Sequence, residues 1–143
     1  MNSTNPPPKQ NYSLMRVLIV DDIPQVRQEL RQLLELTGLF EIVSDASDGP
    51  GAVQKARKFS PDAIIMDLEM PGGDGYAATR LVKAQNPAIR VIILSAYAGP
   101  EEMKRARAVG ADGFVVKGES YEILVNAILG INSSLNSFDS KKG

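Results

Sequence analysis

Cysteine and histidine are both absent from this chain of 143 residues. Without cysteine the protein can form no disulfide, no thiolate zinc site and no thiol nucleophile, which fits a reducing compartment. Without histidine it can build neither a Ser-His-Asp nor a Cys-His catalytic set, and it has no imidazole to offer a metal. Any chemistry must therefore depend on aspartate, glutamate, lysine and serine.

A strong excess of either charge is also missing, and so is a long apolar run. Sixteen basic residues against seventeen acidic ones leave a net charge of −1, so no overall field would draw the chain to nucleic acid or an anionic membrane. The apolar stretches fall far short of the roughly 18 residues of a spanning helix, and no basic segment leads into an apolar one at the amino terminus. We expect a cytoplasmic protein that binds neither DNA nor membranes directly.

The length and composition are those of one globular domain between two polar tails. A chain of this size that is 43% hydrophobic and 23% charged can bury a proper core. Residues 1–14 include Pro6-Pro7-Pro8, which predicts a disordered arm. Residues 132–143 are rich in serine and asparagine, as in a linker or a frayed tail. The folded domain should therefore span residues 15–131.

Five apolar runs alternate with five segments of helical pattern. The predicted strands are 16–20, 40–44, 63–66, 90–95 and 113–117, and the predicted helices are 24–37, 50–58, 74–85, 100–109 and 120–131. This alternation favours an α/β fold with a five-stranded parallel sheet covered by helices on both faces. If the strand order is 2-1-3-4-5, ligands bind beyond the carboxyl ends of the first and third strands.

Acidic side chains stand where two of these runs end. Asp21 and Asp22 follow the first strand and Asp67 follows the third, so the three carboxylates should meet at one edge of the sheet. Three carboxylates in one pocket repel each other unless a cation holds them. The sequence therefore predicts a hard-metal site in which one carboxylate is left to do chemistry.

A hydroxyl and an ammonium group end two more strands. Ser95 closes the fourth strand and Lys117 the fifth, so both should face the same crevice. Such a cluster suits a phosphoryl group, because the acids can hold Mg²⁺, Lys117 can neutralise phosphate oxygens and Ser95 can donate a hydrogen bond. We predict Asp67 as the nucleophile, since it follows the most central strand and the turn at 70–73 should leave it exposed.

In combination these motifs are specific to one family. Asp21-Asp22, Asp67-x-x-Met70-Pro71-x-x-Asp74-Gly75, Ser95-Ala96 and Lys117 strongly resemble the receiver domain of two-component response regulators over residues 15–131. The resemblance implies a flavodoxin-like, CheY-like doubly wound fold. It also implies that Asp67 is the phosphoacceptor and that Asp22, Asp67 and the backbone carbonyl of Glu69 bind Mg²⁺, with Asp21 supporting the metal through water.

The resemblance further implies a mechanism and partners. A phosphohistidine on a sensor kinase or phosphotransfer protein would pass its phosphoryl group to Asp67, with Lys117 pairing the phosphate. Ser95 would be the switch hydroxyl and Phe114 the switch aromatic, and their movement would change the face formed by the fourth helix, fifth strand and fifth helix. The chain would then be a phosphoacceptor switch that catalyses only its own phosphorylation and dephosphorylation, not an enzyme proper. Homodimerisation on phosphorylation is a further expectation.

Some positions depart from the family pattern. Gly118 follows Lys117 where many receivers have proline, a pattern similar to receivers that precede a helix-turn-helix DNA-binding domain. We therefore expect either a stand-alone regulator or, slightly favoured, the regulatory part of a transcription factor that reaches DNA only through another domain. Glu69 and Tyr97 lie near Asp67 and should tune the lifetime of the phosphoryl group.

Other interpretations stay open for the site and for single residues. A Mg²⁺-dependent phosphohydrolase could use an aspartyl nucleophile, but Asp67-Leu68-Glu69 lacks the second aspartate of the D-x-D motif of haloacid-dehalogenase phosphatases. A receiver fold that never carries phosphate is disfavoured by the intact set of acids, hydroxyl and ammonium. Phe114 could equally be plain core. Turn or helix-cap positions are predicted for the remaining strand-flanking acids, Asp45, Asp48 and Asp62.

Overall fold

The computed structural model describes residues 14–72 and 74–131. The predicted amino-terminal arm, apart from residue 14, and the predicted tail at 132–143 lie outside these residues. Strands and helices alternate along the described chain in the order β1 Met15–Val20, α1 Pro24–Leu36, β2 Phe40–Ala46, α2 Gly49–Phe59, β3 Ala63–Asp67, α3 Asp74–Gln85, β4 Arg90–Ser95, α4 Pro100–Ala108, β5 Gly113–Val116 and α5 Tyr121–Leu129.

The five strands form one parallel sheet in the order β2-β1-β3-β4-β5. The predicted fold class is thereby confirmed. Strands in such a sheet are buried on both faces, because the crossover helices cover both. Val17 to Val20 show this directly, since all four side chains are fully buried.

Alternate side chains of each strand pack into separate cores. Val17 and Ile19 join a cluster with residues of α1 and α5, whereas Leu18 and Val20 join a cluster with residues of α2 and α3. Successive side chains of a strand point to opposite faces, so one short apolar run supplies both layers. A third cluster places Phe114 against residues of β4 and α4.

The helix boundaries follow from local chemistry. Pro24 occupies the first turn of α1, at the start of the predicted helix 24–37. The Asp48 carboxylate accepts the Gly51 N–H at 2.7 Å and so begins α2 at Gly49, in spite of the breaker residues there. The prediction of a cap at Asp48 is confirmed. Asp62 behaves as a turn residue, accepting the Arg16 N–H at 2.8 Å.

Two local predictions were wrong. Asp45 lies inside β2, not in a turn, because the pairing of β2 with β1 continues through Ala46. Its carboxylate lies 3.5 Å from Arg27 Nε and 3.8 Å from Arg31 Nη2. In the sequence, Leu33 falls on one helical face with Val26, Leu30 and Leu34, which predicts a buried stripe. Leu33 is nevertheless 45% exposed, since α1 turns only part of its apolar face to the sheet.

The sheet register brings the predicted site residues to one edge. Val20 lies beside Met66, Asp67 beside Leu94, and Ser95 beside Val116. The residues at or just after these positions therefore share the carboxyl end of the sheet. In the part of the chain that the structure describes, no helix combines the length and apolar character needed to cross a membrane.

Candidate functional site

Three aspartates meet at the carboxyl ends of β1 and β3. Asp21, Asp22 and Asp67 each offer an oxygen, and these oxygens lie within 4.8 Å of one another. Asp21 and Asp67 are each only 1% exposed, while Asp22 is partly exposed. The structure thus brings together the carboxylates predicted from the sequence, in an arrangement that could bind a metal ion.

Asp21 shows why this cluster suits a cation. Burial raises the pKa of its carboxyl above the ordinary 3.8, and the charges of Asp67 and Asp22 add to the rise. Its Oδ1 accepts the Ile23 N–H at 2.9 Å. Its Oδ2 is buried and has no hydrogen-bond partner among the described residues. A buried anionic oxygen without a partner beside two other carboxylates is chemically matched to a hard cation.

We expect Asp21→Asn to stabilise the metal-free protein. The pKa of Asp21 is higher in the folded protein than in the unfolded chain, so folding favours the neutral carboxyl group. This contribution to the free energy of unfolding is complete below pH 3.8 and is lost as the pH rises through the folded pKa. At neutral pH the ionised carboxylate therefore destabilises the folded protein. Removing it should add about 1 kcal/mol to the free energy of unfolding, or roughly 3–5 °C in Tm, measured by thermal melts in chelator.

The same variant should respond less than wild type to added Mg²⁺, because it has lost one anionic oxygen. Asp48→Asn is the matched control, since asparagine caps a helix as well as aspartate does and Asp48 is an exposed helix cap. A lower Tm for metal-free Asp21→Asn would contradict the view that repulsion dominates this cluster.

Asp67 is buried at the end of β3, so the expectation that the following turn leaves it exposed was wrong. Its carboxylate is covered by neighbours: Oδ1 lies 2.7 Å from Lys117 Nζ and accepts the Glu69 N–H at 3.2 Å. Gly75 packs against the backbone of the same residue, where an added Cβ would come within 2.9 Å of the Asp67 carbonyl oxygen. Little of the predicted nucleophile therefore faces solvent, and one of its oxygens is held by Lys117 and the Glu69 N–H.

Ser95 at the end of β4 and Lys117 just after β5 lie at the same edge of the sheet as the three aspartates. The Lys117 N–H donates to the Ser95 carbonyl at 2.7 Å, which ties the two strand ends together. Burial lowers the pKa of Lys117, but its hydrogen bonds to Asp67 and Glu69 outweigh this and hold the pKa above its ordinary 10.5. Lys117 is thus a fixed cation beside the three carboxylates.

The sequence predicts Glu69 near Asp67, but it does not predict the groups that its side chain contacts. Only its backbone carbonyl was expected to take part in binding the metal. Its carboxylate accepts hydrogen bonds from Ser95 Oγ at 2.8 Å and the Ala96 N–H at 2.9 Å, and it lies 3.1 Å from Lys117 Nζ. Burial alone would raise the pKa of Glu69, but these three donors lower it below its ordinary range. An acid two positions after Asp67 was the available signal.

Phe114 and Tyr97 complete the surroundings. Phe114 is fully buried and packs with Ile93, Met103 and Ala106. Tyr97 is 65% exposed, and its carbonyl oxygen lies 3.0 Å from Ser95 Oγ. The site therefore combines a buried carboxylate, an acidic cluster able to hold a cation, and hydroxyl, amide and ammonium donors able to hold an anion.

Known proteins are similar to this chain in sequence and in fold. Residues 17–129 match the family described as the response regulator receiver domain. The transcriptional regulatory protein LnrK of Bacillus subtilis is 29% identical over 120 residues, covering 84% of this chain and 54% of the relative. The chemotaxis protein CheY of Halobacterium salinarum is 35% identical, with 79% and 92% covered.

A solved structure has a similar fold. The signal receiver domain of the putative NarL response regulator from Mycobacterium tuberculosis has a TM-score of 0.78 and 31% identity, with 83% of this chain and 96% of that chain covered. The chain spans about half the length of curated relatives such as LnrK and the nitrate/nitrite response regulator protein NarP of Escherichia coli. Because the family match extends from β1 to α5 and includes each strand end that carries the acids, the hydroxyl and the ammonium, this chain belongs to the response regulator receiver domain family.

Proposed function

We propose that Asp67 accepts a phosphoryl group in a Mg²⁺-dependent transfer from a phosphohistidine on a separate kinase or phosphotransfer protein. The observation that carries this is that Asp67 shares a cluster with Asp21 and Asp22 and also contacts Lys117 at 2.7 Å. A carboxylate that adjoins both a cation-binding cluster and a fixed ammonium is placed to attack an anionic phosphorus centre.

The proposed transfer uses groups of this chain in defined roles. A carboxylate oxygen of Asp67 forms a bond to phosphorus as the bond from phosphorus to the donor's imidazole nitrogen breaks, and the nitrogen keeps the electron pair. Lys117 neutralises the oxygens of the transferred group and Ser95 donates a hydrogen bond to it. Asp21, Asp22, Asp67 and the carbonyl of Glu69 would hold Mg²⁺. When bound there, the metal screens the repulsion between phosphate and carboxylates.

The product would be an acyl phosphate that water later hydrolyses, returning Asp67 to its free carboxylate. The protein would then act once per cycle as an acceptor, without turning over a small-molecule substrate.

We also propose that phosphorylation switches the face formed by α4, β5 and α5. Ser95 ends β4, the strand whose Ile93 packs with Phe114, so a phosphoryl group that draws Ser95 toward it would change the packing around Phe114. The shift would bias this face between two arrangements. Homodimerisation on phosphorylation and control of transcription through a DNA-binding domain are the proposed outputs, by analogy with relatives that are named transcriptional regulators.

Treatment with acetyl phosphate and Mg²⁺ tests the proposed function. Intact-mass spectrometry should show the gain of one phosphoryl group, and an equal sample with chelator should gain none, because the uncompensated carboxylates repel the donor. Labelling that persists in chelator would contradict the metal's role. Release of phosphate at catalytic turnover without labelling of the protein would favour a phosphohydrolase instead.

A further inference from the structure

The Glu69 carboxylate fills an anion site made by the strand ends. Three donors of different kinds converge on it: the Ser95 hydroxyl, the Ala96 N–H and the Lys117 ammonium, at 2.8, 2.9 and 3.1 Å. A hydroxyl, a backbone amide and a cation directed at one point are the components of an oxyanion or phosphate site. Within the described structure the occupant of that site is a side chain of the protein itself.

Two of these three donors are those that the proposed function assigns to the phosphoryl oxygens. Ser95 cannot donate to Glu69 and to an incoming phosphate at once, since a hydroxyl has one proton to donate. Lys117 would have to divide its three N–H donors among Asp67, Glu69 and the phosphate. The Glu69 N–H donates to Asp67 Oδ1 at 3.2 Å, and Lys117 Nζ lies 2.7 Å from Asp67 and 3.1 Å from the Glu69 carboxylate. The carboxylate therefore competes for donors that stand beside the acceptor.

We propose that Glu69 is an internal substitute for the phosphoryl group, and that it must leave its three donors before Asp67 can be phosphorylated. This inference rests on the proposed function and deepens it, since it names the group that regulates access to the site. A single carboxylate charge is displaced by a phosphoryl group with more negative charge and three oxygens, so the competition slows entry without preventing it.

The surroundings allow this displacement. The Glu69 side chain is 43% exposed, so it can turn into water without a large desolvation cost. A cavity of about 580 Å³ opens beside it, lined by Tyr76, Tyr97 and Arg105 among others. The Arg105 guanidinium stacks 4.3 Å from the centre of the Tyr76 ring and puts a positive charge in that cavity. The displaced carboxylate thus has room and a nearby cation.

Two Glu69 variants test the inference by phosphorylation rate and by affinity for beryllofluoride, an anion that mimics a phosphoryl group on aspartate. Glu69→Ala frees all three donors and should raise both the rate with acetyl phosphate and the affinity by about 10-fold, the worth of one strong charge-assisted hydrogen bond. Glu69→Gln keeps the size but not the charge, so its increase should be smaller. Glu101→Gln, which removes an exposed acid from the same cavity, should match wild type.

The outcomes separate this inference from the proposed function. Equal rates and equal beryllofluoride affinities in wild type and both Glu69 variants would overturn the inference alone, and so would slower labelling of Glu69→Ala. If wild type itself is never labelled and binds no beryllofluoride, the proposed function fails and the inference fails with it. Removing the negative charge of Glu69 can only weaken the attraction for Mg²⁺ at the neighbouring carboxylates. A faster reaction of the Glu69 variants therefore cannot result from tighter Mg²⁺ binding.

Discussion

Asp67→Asn should lose phosphorylation completely. With acetyl phosphate and Mg²⁺, the intact mass of this variant should stay unchanged while wild type gains one phosphoryl group. Asparagine has nearly the shape of aspartate, but its neutral amide is a poor nucleophile and cannot form a stable acyl phosphate. Because the carboxylate is buried between Asp21, Asp22 and Lys117, no other acid can easily take its place at the same position.

Fragment masses would locate any residual phosphoryl group. Asp62→Asn is a suitable control, because Asp62 is exposed and its carboxylate accepts the Arg16 N–H in a turn before β3. That control should be labelled like wild type. Labelling of Asp67→Asn on Asp22, the less buried neighbour, at the rate and extent of wild type would contradict the assignment of Asp67 as nucleophile.

The placement of the acids, hydroxyl and ammonium could be predicted from sequence because it depends on features that a sequence records well. Short apolar runs mark strands buried on both faces, and their parallel arrangement forces their carboxyl ends to one edge. Asp21, Asp67, Ser95 and Lys117 each stand at such an end. The sheet register then brought them together without any further information from loops.

What could not be predicted depends on loop paths and on how helices lie on the sheet. The burial of Asp67 results from Lys117 and from the backbone of Glu69 closing over it, and no local pattern encodes that closure. The Glu69 side chain contacts the end of β4, which lies 26 residues away in sequence. The exposure of Leu33 likewise depends on how α1 is rotated on the sheet, which helical periodicity sets only to within a residue or so.

Lys117→Met should destabilise the metal-free protein and slow its phosphorylation. The ammonium is the cation that Asp67 contacts at 2.7 Å, and the Asp67 side chain is 2% exposed. Removing one partner of a buried ion pair leaves an uncompensated charge, which costs about 3–5 kcal/mol when both partners are buried. Because a third of the Lys117 side chain is exposed, we expect about 2 kcal/mol, or roughly 6–10 °C in Tm.

The pH dependence of this effect has a definite sign. The pKa of Lys117 is raised above 10.5 in the folded protein, so the stability that its charge contributes is complete below pH 10.5 and is lost as the pH rises through the higher folded value. The difference in stability between wild type and Lys117→Met should therefore stay constant from neutral pH to about pH 10 and shrink above it. Urea unfolding at a series of pH values measures this difference.

A double-mutant cycle with Asp67→Asn separates electrostatics from packing. If Lys117→Met is destabilising because it leaves the Asp67 carboxylate without a cation, the same substitution should lower the free energy of unfolding by less than about 1 kcal/mol in the Asp67→Asn background. The coupling energy between the two residues would then be about 1 kcal/mol or more. Lys104→Met, at an exposed position on α4, should be close to neutral in both backgrounds. Equal costs in the two backgrounds would mean that Lys117 acts through the packing of its aliphatic chain. Added Mg²⁺ should also reduce the cost in the wild-type background, because a cation bound by the three aspartates compensates the same negative charge.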